Sequence, residues 1–306
     1  GYGYPQDARW MEDGSIQVHS SGGIFRYDGD TYDFLYSEQP LSQHSGIWSP
    51  DGTKMVWADA RNRRLYLFDS DTRINSPIVS DSIAVSWDSI NWSYDSNKIA
   101  VIPYGNRATV YIWNVEMRRV ERVIDTYPYS VSQIAWSPDG LRLATGSNRT
   151  GEPIVIWDTT SGAPVQTVEK HETWLGGMAF SPDGSKLVIS EFGEGDQAHL
   201  YVWNVLTGSL TVEFGADEFL WGPIRELRWS PDGTKIATSE YINACIHPSD
   251  NLPITIWDVD SGLPVQALGP HHCAITTIQW SSDGNRILAV ARGDSIRVWD
   301  TNKGEQ

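Results

Sequence analysis

Sulfur is scarce in this chain: 306 residues carry two cysteines, Cys245 and Cys273, and four methionines. Two thiols are too few for a disulfide framework and cannot make a four-thiolate zinc site. Long apolar runs are missing, and none approaches the roughly 20 residues of a bilayer-spanning helix; membrane insertion is not expected. Positive charge is short, with 23 Lys and Arg against 39 Asp and Glu, a net charge of −16 and a pI near 4.7. Such a surface repels phosphates and anionic lipid heads, so nucleic acid is not an expected partner. Its ordinary reading is solubility, and that reading stands first. Catalytic signatures are also wanting: there is no Gly-x-Ser-x-Gly elbow, His-Glu-x-x-His, phosphate-binding Gly-Lys loop or Rossmann fingerprint. The seven histidines include none paired in sequence with a Ser or Cys nucleophile. No catalytic residue is assigned, no cofactor is expected, and the chain is read as a non-enzyme. It opens at Gly1, without Met or a charged-then-apolar leader, as expected of a processed form or a portion of something longer.

Aromatic and aliphatic residues are plentiful, with 15 Trp and 40% apolar content, enough for a packed core and too much for disorder. They are organised as a repeat. In Trp136-Ser137-Pro138-Asp139-Gly140, then Leu141 to Thr145, then Ile154-Val155-Ile156-Trp157-Asp158, two short β-branched runs flank a Pro-Asp-Gly turn and a polar loop. That is a strand pattern, and no stretch has useful helical periodicity. An opening aromatic recurs at Trp10, Trp48, Trp92, Trp136, Phe180, Trp229 and Trp280, spaced by 38, 44, 44, 44, 49 and 51 residues. A closing pair recurs at Tyr27-Asp28, Phe68-Asp69, Trp113-Asn114, Trp157-Asp158, Trp203-Asn204, Trp257-Asp258 and Trp299-Asp300. Seven openers and seven closers predict seven four-stranded units in one domain over residues 1–306.

These residues resemble the WD-repeat family of β-propellers along essentially the whole chain. The resemblance implies an all-β, seven-bladed propeller of four-stranded antiparallel blades around a central channel. One small sheet cannot bury both faces alone, so neighbouring blades are expected to stack, with the closing aromatics as core between them. Family blades often carry Gly-His before the first strand, feeding a buried His–Ser/Thr–Trp network. Here only Lys170-His171 and Gly269-Pro270-His271-His272 approach it, so cohesion is expected to rest more on packing.

The ends depart from the repeat. Closer to next opener takes 21, 24, 23, 23, 26 and 23 positions, whereas seven residues follow Trp299 and nine precede Trp10. The outer strand of blade seven is therefore expected to be missing, leaving an edge at Ser295 to Asp300. Blade seven is then three-stranded, or is completed in part by Gly1-Tyr2-Gly3-Tyr4, or takes a strand from a neighbouring molecule; the first two together are preferred.

Opener-to-closer distances of 17, 20, 21, 21, 23, 28 and 19 place the insertions between second and third strands, the largest at Glu191 to Ala198 and Glu240 to Pro253. By the resemblance, these loops share a face with the segments leading into each blade. Long loops on a rigid scaffold are where binding residues sit. Tyr127, Tyr129, His171, Trp174, Phe219 and Trp221 are the candidate contacts for a protein or peptide partner, because aromatics with a polar handle favour interfaces. The alternative is that Trp174 and Trp221 cap blade ends, half buried, and for Trp87 that alternative is preferred. Cys245, His247, His271, His272 and Cys273 admit three readings. They are a Cys245–Cys273 disulfide, a thiolate-imidazole metal site, or unrelated residues; the disulfide would stabilise by roughly 3 kcal/mol in an oxidising compartment. Paired Asp residues after the closers are read as turn chemistry, and Glu191, Glu194 and Asp196 as a weak calcium candidate. Asn148-Arg149-Thr150 is an accessible glycosylation acceptor pattern in a secreted eukaryotic chain, whereas Asn91 falls in a strand. The leading expectation is a protein- or peptide-binding scaffold. The alternatives are a self-assembling extracellular subunit that shares strands at blade seven, and a glycan-binding or polysaccharide-acting propeller.

Overall fold

The turn after each opener is held by its own side chains. Ser137 Oγ lies 2.5 Å from Asp139 Oδ1 and accepts the Arg142 N–H at 2.9 Å, while Asp139 Oδ1 accepts the Leu141 N–H at 3.0 Å. Gly140 N–H closes back on Ser137 O at 2.9 Å with φ +67°, the left-handed conformation glycine adopts without strain. The same Ser–Asp pairing recurs at Ser49/Asp51, Ser93/Asp95, Ser181/Asp183, Ser230/Asp232 and Ser281/Asp283. In the third repeat Ser96 takes the glycine position, with φ +60°, so the turn survives the loss of Pro-Asp-Gly.

A computed structural model of the chain describes residues 5–20, 23–38, 46–59, 64–70, 72, 74–78, 85–103, 108–168, 174–193, 198–214, 223–240, 252–271, 274–291 and 296–304, and the structural statements below concern these. Blade one holds β1 (Pro5–Trp10), β2 (Ile16–Ser20), β3 (Gly23–Tyr27) and β4 (Phe34–Glu38). Blade two holds β5 (Ile47–Trp48), β6 (Lys54–Asp59), β7 (Arg64–Asp69) and β8 (Asn75–Pro77). Blade three holds β9 (Val85–Trp92), β10 (Lys98–Pro103), β11 (Thr109–Asn114) and β12 (Arg119–Asp125). Blade four holds β13 (Gln133–Trp136), β14 (Arg142–Gly146), β15 (Ile154–Asp158) and β16 (Pro164–Val168). Blade five holds β17 (Trp174–Phe180), β18 (Lys186–Phe192), β19 (Ala198–Asn204) and β20 (Leu210–Phe214). Blade six holds β21 (Ile224–Trp229), β22 (Lys235–Glu240), β23 (Leu252–Asp258) and β24 (Pro264–His271). Blade seven holds β25 (Ile275–Trp280), β26 (Arg286–Ala291) and β27 (Ile296–Asp300). Strands follow chain order in every sheet, six sheets having four strands and the last three. The fold is all-β, a seven-bladed propeller.

Contacts divide the chain into one unit of residues 1–43, 190–201 and 212–306 and another of residues 44–189 and 202–211. In the second unit, Trp113 and Trp92 pack with Val56 and Leu65, and Trp157 and Trp136 with Ile112 and Val110. In the first, Trp299 and Trp280 pack with Ile254, Ile256 and Leu268. The closers Phe68, Trp113, Trp157, Trp257 and Trp299 are buried, as expected of residues between blades. Cohesion is more than packing, however. Indole N–H groups of openers donate to the carbonyl just before the preceding opener: Trp92 to Ile47 O (3.0 Å), Trp136 to Asn91 O (3.1 Å), Trp280 to Arg228 O (3.2 Å). Closer Trp157 donates to Thr145 Oγ1 (2.8 Å) and Trp257 to Thr238 Oγ1 (2.9 Å), so the Thr–Trp half of the family's network is present in blades four and six.

The first and last repeats meet within the first unit. Trp10 N–H donates to Gln279 Oε1 (2.6 Å), Thr277 Oγ1 to Asp7 Oδ1 (3.2 Å), and Arg286 to Gly29 O (2.6 Å) and Asp30 Oδ1 (2.7 Å). Residues 5–10 form the innermost strand of their own blade and β27 pairs with β26, so blade seven is three-stranded among the described residues. The segment Gly1 to Tyr4 lies outside them.

Candidate functional site

Blade four carries the best-defined surface. Its ladder pairs Gln133 with Gly146, which puts the 126–132 connection and the loop after β14 at one end of the sheet. Thr126 anchors the first: its N–H reaches Ala108 O, its hydroxyl reaches Tyr129 O at 3.0 Å, and Tyr129 N–H returns to Thr126 O at 2.9 Å. Asp125 Oδ1 accepts the Tyr127 N–H at 3.0 Å. Glu152 ties the two loops together by accepting from both the Ser130 N–H and the Ser130 hydroxyl at 3.1 Å. Ser130 Oγ also meets Ser147 Oγ at 2.9 Å, and Ser147 Oγ accepts the Arg149 N–H at 3.0 Å.

On this braced end Tyr127 is 80% exposed, Tyr129 37% and Trp174 63%. Trp174 is the first residue of β17, and its buried neighbour Leu175 lies against Gly146, where a Cβ would be 2.4 Å from Leu175 Cδ2. That contact sets Trp174 beside the blade-four loops. Indoles at most of the repeat's own positions, such as Trp136, are buried, whereas Trp174 faces water. Asn148, Arg149 and Thr150 are exposed on the same loop. The arrangement offers large apolar faces with hydrogen-bonding tips on backbone that is already ordered, which lowers the entropic cost of binding.

Not every candidate falls here. His171, Phe219 and Trp221 lie outside the described residues, as do Cys245, His247, His272, Cys273, Glu194 and Asp196. The backbone of His271 pairs with Leu252. Trp87 belongs to β9. Among the described residues no cluster of His, Cys, Asp or Glu could hold a metal ion, and no helix is long and apolar enough to cross a membrane. An apolar gap between Leu65, Ile78, Ile99 and Trp113 has a volume of about 10 Å³, room for one water at most.

One charged group escaped sequence reasoning. Asp7 and Arg9 on β1 form an ion pair at 2.5 Å, with His19 Nδ1 on β2 at 3.7 Å from the same carboxylate. Burial would raise the Asp7 carboxyl, but His19 and Arg9 outweigh it and hold the group well below the usual carboxylate range. Burial in turn keeps His19 below its ordinary value. With Thr277 on Asp7, this cluster fastens β1 to β25. The only signal in sequence was polar residues alternating through a strand that should be apolar.

Comparison with known proteins agrees with this architecture. Residues 121–150, 162–204 and 262–300 match the family model described as WD domain, G-beta repeat. Those segments fall on blades three to seven. The chain carries WD repeats. Protein Atg16l2 of Mus musculus is 32% identical over 71 residues, 23% of this chain and 11% of that protein. Coronin-7 of Rattus norvegicus is 30% identical over 114 residues, 35% of this chain and 11% of that protein. COMPASS component SWD3 of Saccharomyces cerevisiae is 32% identical over 82 residues, 27% of this chain and 23% of that protein. The matches thus span less than a quarter of these relatives, each of which shares repeats with this WD-repeat chain.

Proposed function

We propose that this WD-repeat propeller is a non-enzymatic scaffold that binds a protein or peptide segment across Tyr127, Tyr129 and Trp174. The observation that carries the reading is the exposure of Tyr127 and Tyr129 on a hydrogen-bonded loop and of Trp174 at the start of β17, in a fold that buries most of its repeat tryptophans. Exposed aromatics on a rigid support supply contact area at low entropic cost, and such residues dominate interface energies. One relative is named as a component of COMPASS, and membership of a larger assembly suits a scaffold. A non-enzymatic scaffold is the general role of WD-repeat propellers, which supports this reading over that of an enzyme.

Peptides selected from a random display library on the full chain provide the test, with binding to the Tyr127→Ala/Trp174→Ala double variant as the counter-measurement. Selected peptides are expected to lose at least about tenfold in affinity, with the melting temperature unchanged because both side chains are solvent-facing. Equal binding to both proteins would move the site elsewhere.

A further inference from the structure

Blades three, four and six share one device at their outer edge. The residue three before the closer is buried under an aliphatic residue of the outer strand: Val110 under Ile124, Ile154 under Val168 and Ile254 under Leu268. Two residues before that aliphatic, Arg122, Gln166 and Gln266 reach the turn after the next blade's closer, at Gly162, Gly208 and Gly304. Arg122 also donates to Thr160 O in such a turn.

Blade seven has the receiving half of this device. Ile296 occupies the position of Val110, Ile154 and Ile254, yet it is only partly buried, as is Val298. After β27 the chain makes the reversing turn of the other blades: Asp300 Oδ1 accepts from Asn302 N–H (2.8 Å) and Lys303 N–H (3.0 Å), and Gly304 has φ +71°. The neighbouring turn that a seventh outer strand would reach belongs to blade one, which Arg286 already joins to blade seven. There the glycine position is held by Tyr32, with φ +60° and 48% exposed, flanked by Asp28, Asp30 and Asp33. A bulky residue at positive φ is a true outlier, and such strain persists at functional positions. Tyr32 continues into Phe34, Leu35 and Tyr36, all exposed on β4.

We propose that the outer edge of β27 receives a β-strand of a partner polypeptide that carries Arg or Lys two residues before a large aliphatic side chain. The aliphatic residue covers Ile296. The cation lies over the Tyr32 ring among the three aspartates, where cation–π attraction and charge both favour it. Main-chain hydrogen bonds to the edge give affinity, and the two side chains give choice of partner. This surface is separate from the aromatic platform of blade four.

A labelled peptide with the sequence of β12, which contains the Arg122 and Ile124 pair, serves as the probe in a fluorescence anisotropy titration of the full chain. Saturable binding is expected, weakened at least about tenfold by Ile296→Glu in the protein or by Arg122→Glu in the peptide. Should Ile296→Glu not fold, Tyr32→Gly decides. It relieves the positive-φ strain, so it is expected to raise the melting temperature while weakening the peptide about tenfold. No binding at ~1 mM peptide, or binding indifferent to Tyr32→Gly and to the peptide's charge, overturns the proposal. A dimer of the chain alone that Ile296→Glu dissociates would assign the edge to a second copy and overturn it as well. So would an edge that the intact chain's own terminal residues occupy, seen as protection of Ile296 and Val298 amides from hydrogen exchange without peptide.

Discussion

Trp136→Phe separates the two ways in which blades three and four can be held together. The indole is 2% exposed, packs with Ile112 and Leu143, and donates to Asn91 O at 3.1 Å across 45 residues of sequence. Phenylalanine keeps an aromatic ring in the same place but removes the donor and part of the apolar surface. The smaller ring gives up about 40 Å² of buried apolar area, worth about 1 kcal/mol at roughly 25 cal/mol per Å². Losing the hydrogen bond adds about 1 kcal/mol net, because the Asn91 carbonyl is left facing a ring that cannot donate. The variant is therefore expected to be about 2 kcal/mol less stable. Urea denaturation followed by far-ultraviolet circular dichroism measures this as a lowered midpoint at unchanged slope. Hydrogen exchange should show faster opening at the β9–β13 junction than within blade five, whose opener Phe180 has no N–H to lose. A deficit of no more than about 1 kcal/mol, the ring contribution by itself, would refute the claim that the indole bond ties the blades.

Asp7→Ala removes the carboxylate that Arg9 and His19 surround; it should cost about 2 to 3 kcal/mol by thermal melting, somewhat less than a fully buried pair because Asp7 is partly accessible. Acid should weaken the turns. Ser181 and Ser185 hold Asp183, and Ser281 and Asn285 hold Asp283, down to about 2 from 3.8. For a carboxylate lowered in the folded state, the stabilisation is full above the unfolded value and is lost as pH falls through the folded one. Stability should then be flat above about pH 4 and drop toward about pH 2, by at most about 1 kcal/mol per turn after solvent screening. Asp183→Asn with Asp283→Asn should flatten that slope, and an unaltered slope by urea titration would exclude the turns as its source. Arg118→Gly, at φ +51° after the third closer, should raise stability by about 0.5 to 1 kcal/mol, read as a higher urea midpoint.

Much of the fold could be read from the chain because its information is local. Ser137, Asp139 and Gly140 make their hydrogen bonds within five positions of one another, so the turn and its two strands can be recognised in any repeat. The closing Trp-Asp pairs are legible for the same reason: Asp158 and Asp258 accept the N–H and hydroxyl of Ser161 and Ser261 only three residues on. The missing outer strand was legible as a count of positions. What could not be read depends on partners far away in sequence. The Trp280 to Arg228 bond spans 52 residues and the Asp7 to Thr277 bond 270. No periodicity announces which polar side chain in an inner strand will meet another. Burial of single aromatics was equally hidden. Trp174 and Trp136 are the same residue type, yet one is exposed and the other buried.

Departures from the repeat therefore deserve more weight than the repeat itself. Six Ser–Asp turns and the closing aromatics solve one physical problem, the burial of both faces of a small sheet, and the turns solve it alike in blades two to seven. A position that abandons the common solution without a structural gain points to another demand on it. Tyr32 stands at positive φ where four blades use glycine, at Gly162, Gly208, Gly262 and Gly304, and its ring lies exposed instead of contributing to the core. Tyr127, on a loop that the Thr126 and Glu152 hydrogen bonds brace, and Trp174, at the start of β17, likewise leave large apolar faces in water. Stability alone would replace each of these with a smaller or more polar residue, since neither exposed rings nor strained backbone lower the free energy of the free chain. Their retention is accounted for when the energy is recovered in a complex. By this reasoning the platform on blades four and five and the edge between blades seven and one are, among the described residues, the places we propose for a partner.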